Sequence, residues 1–197
     1  ISSDFLSSKV AFFSLDDTSC AEYFAEQLIQ LGWDIVASHE TVELLTKSGL
    51  PVQDVADFVG VDMNYDFPPT LHPIMECALT QQDAPSRIDL VYVIPYTLEK
   101  GNDVGGRTLL ALAVKGKRIA VMDNSDMKGV ISELLSEGEV SQKQRLVLAD
   151  KACFQIANHY SSLVENRDKY DMYSGEFFHD LYNGENPYQS PALVFAT

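Results

Sequence analysis

Basic residues are scarce in this 197-residue sequence: 14 Lys and Arg stand against 29 Asp and Glu, and the formal net charge is -15. Proteins that bind nucleic acid or an anionic membrane surface usually present a basic face that displaces counterions. We therefore expect neither nucleic acid nor a membrane surface as a partner. A small anionic ligand stays open, because a helix N-terminus can hold one without any basic side chain.

Cysteine is also rare, since Cys20, Cys77 and Cys153 are the three in the chain and lie far apart. Their spacing predicts neither a disulfide framework nor a zinc site, and we expect no metal and no other cofactor. No stretch reaches the roughly 18 consecutive apolar residues that a membrane span requires. The first residues lack the basic and apolar regions of a signal peptide, so we expect a cytoplasmic protein.

Short apolar runs alternate with helical patterns over most of the chain. This alternation predicts a three-layer α/β/α fold with a mainly parallel five-stranded sheet. We expect residues 1–140 to form this domain, and residues 141–197 to form a C-terminal helical extension with a polar, aromatic tail. The extended segments are 10–14, 34–38, 51–55, 88–94 and 118–122, and the main helices are about 20–31, 40–48, 105–115 and 123–135.

The segment from Asn102 to Lys115 carries the clearest sign of a ligand site. Asp103 comes first, Gly105 and Gly106 follow, and an apolar helical run continues to Lys115. Glycines at the start of a helix leave its first N–H groups uncovered, and the helix dipole adds partial positive charge there. A plain tight turn between a strand and a helix, with Asp103 as its cap, is the alternative interpretation.

Tyr96 follows the most apolar predicted strand, which runs from Ile88 to Ile94 and is closed by Pro95. Ligands of open parallel sheets bind beyond the carboxyl ends of the strands. A half-buried packing role is the alternative for this phenol.

Six ordered pieces of the chain resemble the N-terminal half of the bifunctional family that combines IMP cyclohydrolase with AICAR formyltransferase. Each piece is short, but together they run in one order from about residue 10 to residue 189. They are Phe13-Ser14 with Asp17, Ala37-Ser38 with Thr41, Thr70-Leu71-His72-Pro73, Asp103-Val104-Gly105-Gly106, Lys151-Ala152, and Gly184-Glu185-Asn186-Pro187-Tyr188-Gln189.

The resemblance implies the methylglyoxal-synthase-like fold, a homodimer, and a metal-free ring closure that makes IMP from the formylated carboxamide nucleotide. It also implies a small-molecule nucleotide ligand. The catalytic residues it implies are Tyr96, Asp103 and Lys115. The ligand and phosphate contacts it implies are Ser14, Ser38, Thr41, Thr70, Gly105 and Gly106.

Several positions depart from the family pattern, and they bear on the chemistry. Pro69 stands in place of the catalytic lysine, and Phe67 in place of an arginine. Ile94 replaces an asparagine, and Glu40 lies where the phosphate loop has glycine. Losing one well-placed electrostatic group typically costs about 2.7–4 kcal/mol of barrier, or roughly 10² to 10³ in rate. We therefore expect weak or altered cyclohydrolase activity, and no formyltransferase half in this molecule.

Three interpretations stay open at this point. The chain is a working cyclohydrolase with rearranged residues, a catalytically silent relative that binds a purine nucleotide or another small phosphorylated ligand, or a non-enzymatic partner subunit of a formyltransferase. Lys115 raises a separate geometric question. Twelve helical residues separate it from Asp103, or about 18 Å, so the two residues share a site within one chain only if the helix breaks early. The alternative hypothesis is that a dimer partner supplies the lysine.

Overall fold

The computed structural model describes residues 8–62, 68–165, 176–181 and 192–196. The chain separates into two compact units, residues 1–153 and residues 154–197. The first unit contains the sheet and its flanking helices.

Five parallel strands form the sheet of the first unit, in the order β3-β2-β1-β4-β5. The predicted α/β fold with a parallel five-stranded sheet is confirmed. Because neighbouring strands run the same way, their carboxyl ends meet at one edge, which we call the carboxyl edge. The strands are β1 (Val10–Leu15), β2 (Asp34–Ala37), β3 (Gln53–Asp54), β4 (Leu90–Ile94) and β5 (Ile119–Val121).

Helices connect the strands, because parallel neighbours can be joined only by crossover connections. The helix predicted after Asp103 is confirmed over Val104–Lys115. The helices are α1 (Ala21–Gln30), α2 (His39–Lys47), α3 (Val55–Val59), α4 (Pro73–Thr80), α5 (Val104–Lys115) and α6 (Asn124–Glu137), with a 3₁₀ turn at Pro69–Leu71 before α4.

The neighbouring strands β1 and β4 are the most completely buried part of the core. Ala11, Phe12 and Phe13 of β1 have no exposed surface, and neither do residues 90–93 of β4. Tyr92 packs edge-on against Phe13 and Phe24, with ring centroids 5.1 and 5.8 Å apart. Strands buried on both faces need continuous apolar runs, which is why periodicity of two is missing here. Trp33 is buried as well.

The structure differs from the prediction after β2. The extended segment expected over residues 51–55 is a strand only at Gln53–Asp54, and Val55 begins the short helix α3. The Asp54 carboxylate accepts a hydrogen bond from the Ala56 N–H at 2.8 Å and so caps that helix. A local cap therefore outweighs the β propensity of the valines.

The long helix predicted from residue 141 is confirmed as α7 (Gln142–Ser162). Its Lys151 reaches α6, where Nζ lies 2.5 Å from Asp123 Oδ2 and 2.7 Å from Asp126 Oδ2. Partial burial alone would raise the pKa of Asp123, but hydrogen bonds from Lys151, the Asp126 N–H and Ser125 lower it below its ordinary value. Lys151 therefore fixes the first part of α7 to the sheet domain.

The second unit contains an antiparallel pair that the sequence did not predict: β6 (Glu176–Leu181) and β7 (Ala192–Ala196). We expected only a polar, aromatic tail there. The Gly184–Gln189 motif lies outside the described residues. Among the helices that the structure describes, none combines the length and the apolar character needed to cross a bilayer.

Gly116 provides a test of the packing between α4 and α5. A Cβ at this position would lie 1.8 Å from the Leu79 carbonyl oxygen. We expect Gly116→Ala to lower the free energy of unfolding by about 2–3 kcal/mol or more, because backbone must move to relieve the overlap. Urea unfolding followed by circular dichroism measures it.

Gly129 in α6 is the matched control, since its added Cβ would meet only Gln144 Nε2 at 3.6 Å. Gly129→Ala should stabilise the protein by about 0.5–1 kcal/mol through helix propensity. Equal stabilities of the two variants would contradict the close approach at Gly116.

Candidate functional site

A cavity of about 380 Å³ opens at the carboxyl edge of the sheet. Residues from β1, the start of α2, β4, the 3₁₀ turn and the start of α5 surround this carboxyl-edge cavity. It forms where it does because the register pairs Leu15 with Ile94 and Phe13 with Ala37, so three strands end together. Its polar lining comprises Ser14, Asp16, Ser38, Glu40, Thr70, Tyr96, Asn102, Asp103, Gly105 and Gly106.

Asp103 is the buried carboxylate of this cavity, and it is held by backbone donors. Its Oδ1 accepts a hydrogen bond from the Gly106 N–H at 2.7 Å, which makes Asp103 the N-cap of α5. A Cβ on Gly106 would lie 2.7 Å from Asp103 Oδ2, so glycine is what lets the carboxylate fold back over the helix start. The capping interpretation of Asp103 is confirmed, and the residue also lines the cavity; its contact with a ligand stays a prediction.

Tyr96 lies beside Asp103 at the end of β4. Its backbone N–H donates to Asp103 Oδ2 at 3.3 Å, and its phenol Oη donates to the Asn102 carbonyl at 3.4 Å. The side chain is half-buried and borders the cavity. These bonds tie the loop from 97 to 102 back onto the strand end and hold the phenol near the start of α5.

The start of α2 forms the opposite wall. Ser38 is its N-cap residue, but its hydroxyl makes no capping hydrogen bond to the helix. Instead, Ser38 Oγ lies 3.2 Å from Thr41 Oγ1, and the Leu15 N–H donates to that same Thr41 oxygen at 3.3 Å. The side chain of Ser38 therefore leaves the first N–H groups of α2 uncapped, while the Glu40 carboxylate stands in the first turn of the same helix.

Carboxylates dominate the charge of the cavity. Asp16, Glu40 and Asp103 line it, and none of its described lining residues is Lys, Arg or His. Two nearby cations are engaged with carboxylates. Lys100 Nζ lies 2.5 Å from Asp16 Oδ1, and His39 Nδ1 lies 3.0 Å from Asp54 Oδ2. The hydrogen bond with Asp54 raises the pKa of His39, and the nearby charges of Asp54, Glu43 and Glu40 add to this.

Seven of the nine site residues expected from the sequence line this one cavity: Ser14, Ser38, Thr70, Tyr96, Asp103, Gly105 and Gly106. Thr41 is buried behind Ser38 and orients it. Lys115 does not line the cavity, because α5 runs unbroken to it. It lies 3.2 Å from Glu76 at the far end of that helix.

The positions that depart from the family pattern are placed as follows. Ile94 and Glu40 line the cavity, and Pro69 begins the 3₁₀ turn beside Thr70. Phe67 lies outside the described residues. Asp16 and Asn102 also line the cavity and were not predicted to do so. Asp16 directly follows the end of β1, and Asn102 directly precedes Asp103 of the glycine motif. Within the described part of the chain, no group of three His, Cys, Asp or Glu residues is arranged to hold a metal ion.

Comparison with protein families gives a match over residues 21–122, and the matching family is described as the MGS-like domain. The chain belongs to this family. Two similar relatives are the bifunctional purine biosynthesis proteins PurH of Neisseria meningitidis serogroup C and serogroup A, at 30% and 31% identity. Both alignments cover 94% of this chain and 44% of the relative.

A third PurH protein, from Leuconostoc mesenteroides, is 29% identical over 95% of this chain and 43% of its own length. This MGS-like chain therefore spans less than half the length of the relatives it matches. The resemblance to the bifunctional purine enzymes is confirmed, and the chain belongs with a family related to purine biosynthesis. Among solved structures, the crystal structure of ForH is similar at a TM-score of 0.66 and 28% identity, over 79% of this chain and 96% of ForH.

The His39 pair gives a pH prediction. A raised folded-state pKa contributes stability that is fully present below the unfolded value of 6.5 and is lost as the pH rises through the higher folded value. We expect the stability advantage of the native protein over His39→Gln to be larger at pH 6 than at pH 9, measured by urea unfolding.

Glu43→Gln is the matched variant, because Glu43 contributes less to this shift than Asp54. It should reduce the pH dependence without abolishing it. An advantage over His39→Gln that is the same at both pH values would show that the His39–Asp54 pair contributes nothing in solution.

Proposed function

We propose that the carboxyl-edge cavity binds a purine nucleotide and that the chain is a divergent IMP cyclohydrolase-like protein with weak or altered ring-closing activity. One observation carries this proposal. Seven residues expected from the resemblance come from five separate segments of sequence and line one cavity. A volume of about 380 Å³ also lies within the usual range for small-molecule sites.

The start of α2 is where we place the phosphate of the ligand. The Ser38 side chain leaves this helix end uncapped, and hydroxyls of Ser14, Ser38 and Thr70 surround the same space. Hydroxyl donors and helix N–H groups bind phosphate without a basic side chain. The start of α5 is less suited, because the Asp103 carboxylate already accepts from the Gly106 N–H.

Ring closure requires the carboxamide nitrogen to attack the formyl carbon, followed by loss of water. The protein must hold the two groups together, stabilise oxyanion charge and move protons. In our proposal the Tyr96 phenol donates to the developing oxyanion and Asp103 accepts the amide proton. Lys115 comes from the second subunit of a homodimer, since its side chain is mostly exposed and far from the cavity of its own chain.

The acidic lining favours a second candidate function. Glu40 and Asp16 face the space in which an anionic ligand would lie, and Pro69 supplies no charge in place of lysine. A chain with these features binds a nucleotide, or another small phosphorylated ligand, without turning it over. This silent candidate and the first candidate both bind a ligand and differ only in the rate of ring closure. A binding assay and an activity assay on the same purified protein therefore distinguish them.

We expect IMP to raise the melting temperature of the purified protein, because a ligand that binds only the folded state stabilises it. Tyr96→Phe should weaken IMP binding about threefold to tenfold, the loss of one hydrogen bond to the ligand. Isothermal titration calorimetry measures the affinity. Formation of IMP from the formylated carboxamide nucleotide, followed by absorbance, separates the active candidate from the silent one.

Tyr23→Phe is the control variant, because Tyr23 is an exposed phenol on α1 outside the cavity. It should bind IMP as the native protein does. Absence of binding to IMP, AMP and XMP would overturn both candidates. The remaining interpretation, a partner subunit of a formyltransferase, would then be tested by co-purification with that enzyme.

A further inference from the structure

The opposite edge of the sheet, where the strands begin, contains an unusual concentration of positive charge. A pocket of about 170 Å³ lies there between the starts of β4 and β5 and the helices α6 and α7. We call it the amino-edge pocket. Five of the 14 basic residues of this acidic chain line it against a single carboxylate, Asp89: Lys9, Arg87, Lys117, Arg118 and Arg145.

Arg118 forms the floor of the amino-edge pocket and is 5% exposed. Its guanidinium donates hydrogen bonds to neutral acceptors: Nε to the Leu79 carbonyl at 2.8 Å, and the two terminal nitrogens to the Gln82 side chain and the Gln81 carbonyl at 3.1 and 2.5 Å. No carboxylate in the described part of the chain lies within ion-pair distance of it. Burial lowers the pKa of Arg118, and the neighbouring Arg87 charge lowers it further.

Most of the positive charge of the other four cations in the amino-edge pocket is not balanced by a carboxylate of the pocket. Arg87 pairs with Asp89 at 2.5 Å, which uses the one carboxylate of the pocket. Lys9 lies over the Trp33 ring, 5.4 Å from its centroid, and Arg145 donates to the Val140 carbonyl. Clustered like charges repel each other, so this arrangement costs folding free energy unless an anion occupies it.

Lys117 adds a conformational cost to the electrostatic one. Its φ is +59°, the left-handed region that glycine adopts with least strain and a long side chain rarely enters. The turn from α5 to β5 would therefore form more easily with glycine at this position. A lysine at this position places a positive charge at the pocket, but it makes the turn less stable than glycine would.

We propose that the amino-edge pocket binds a phosphate group. The five cations supply the charge-assisted donors that a doubly charged, tetrahedral oxyanion accepts. The small volume admits a phosphate and excludes a whole nucleotide, for which pockets above about 300 Å³ are usual. This site is separate from the carboxyl-edge cavity, and it stands whether or not that cavity binds IMP.

Trp33 makes the proposal directly testable, because it is the single tryptophan of the chain and lines the amino-edge pocket. Its fluorescence should change on titration with sodium phosphate and not with sodium chloride at equal ionic strength. Lys117→Gly and Arg145→Gln should each weaken phosphate binding about tenfold to a hundredfold, as expected for loss of one charge-assisted hydrogen bond.

Three controls make the result specific. Lys117→Gly removes the charge at a position that suits glycine, so its melting temperature should stay close to the native value. Lys128→Gln removes an exposed charge outside the pocket, and Ser38→Ala alters the carboxyl-edge cavity; both should leave the phosphate response unchanged. A response shared by chloride, or one that Lys117→Gly and Arg145→Gln leave intact, would overturn the proposal.

A competition arm identifies the source of the phosphate group. AMP and adenosine are added to protein at half-saturating phosphate, in the Ser38→Ala background. If AMP displaces inorganic phosphate and adenosine does not, the pocket binds the phosphate group of a nucleotide, and the rest of that nucleotide stays outside the pocket. Displacement by neither assigns free inorganic phosphate. Displacement by adenosine would mean that the signal does not report a phosphate site, and would overturn the proposal.

Discussion

The parallel pairing of β1 with β4 is the constraint on which the rest of this structure depends. The two strands are buried on both faces, and their register aligns Leu15 with Ile94. A slip of one residue would exchange the side chains packed on the two faces of one strand and separate Phe13 from Tyr92. Because this register is fixed, Ser14 and Tyr96 reach the same edge of the sheet. The ends of these two strands therefore determine where the carboxyl-edge cavity lies.

Two helices begin at that cavity, and their starts differ in chemistry. At the start of α5, the Gly106 N–H donates to the Asp103 carboxylate, which can approach because Gly106 has no Cβ. The Ser38 side chain does not cap α2 and instead bonds to the buried Thr41. The same local motif, a polar residue before a helix, thus produces one end that is already neutralised and one that is still receptive to an anion. The proposed phosphate position at α2 rests on this difference, and Glu40 in the first turn of that helix adds a negative charge beside it.

Much of the fold was predictable from the sequence because it depends on local patterns. The apolar runs of β1 and β4, and the glycine-started α5, predict their own structures. The short helix α3 was not predictable from propensity, since a single hydrogen bond from the Ala56 N–H to the Asp54 carboxylate decides it. The cavity was predictable only as far as resemblance placed its residues. Spacing along a helix correctly set Lys115 apart from Asp103, but the sequence contains nothing that shows where Lys115 points.

The amino-edge pocket could not be predicted, because its cations are scattered along the chain and the net charge of -15 conceals them. Only the fold brings Lys9, Arg87 and Arg145 together. The consequence is a local contrast between two sites of the described residues: three carboxylates line the carboxyl-edge cavity, and five cations line the amino-edge pocket. A local excess of positive charge steers an approaching anion before contact, over about 8 Å at physiological salt. An overall acidic protein can therefore still attract an anion at one small area of its surface.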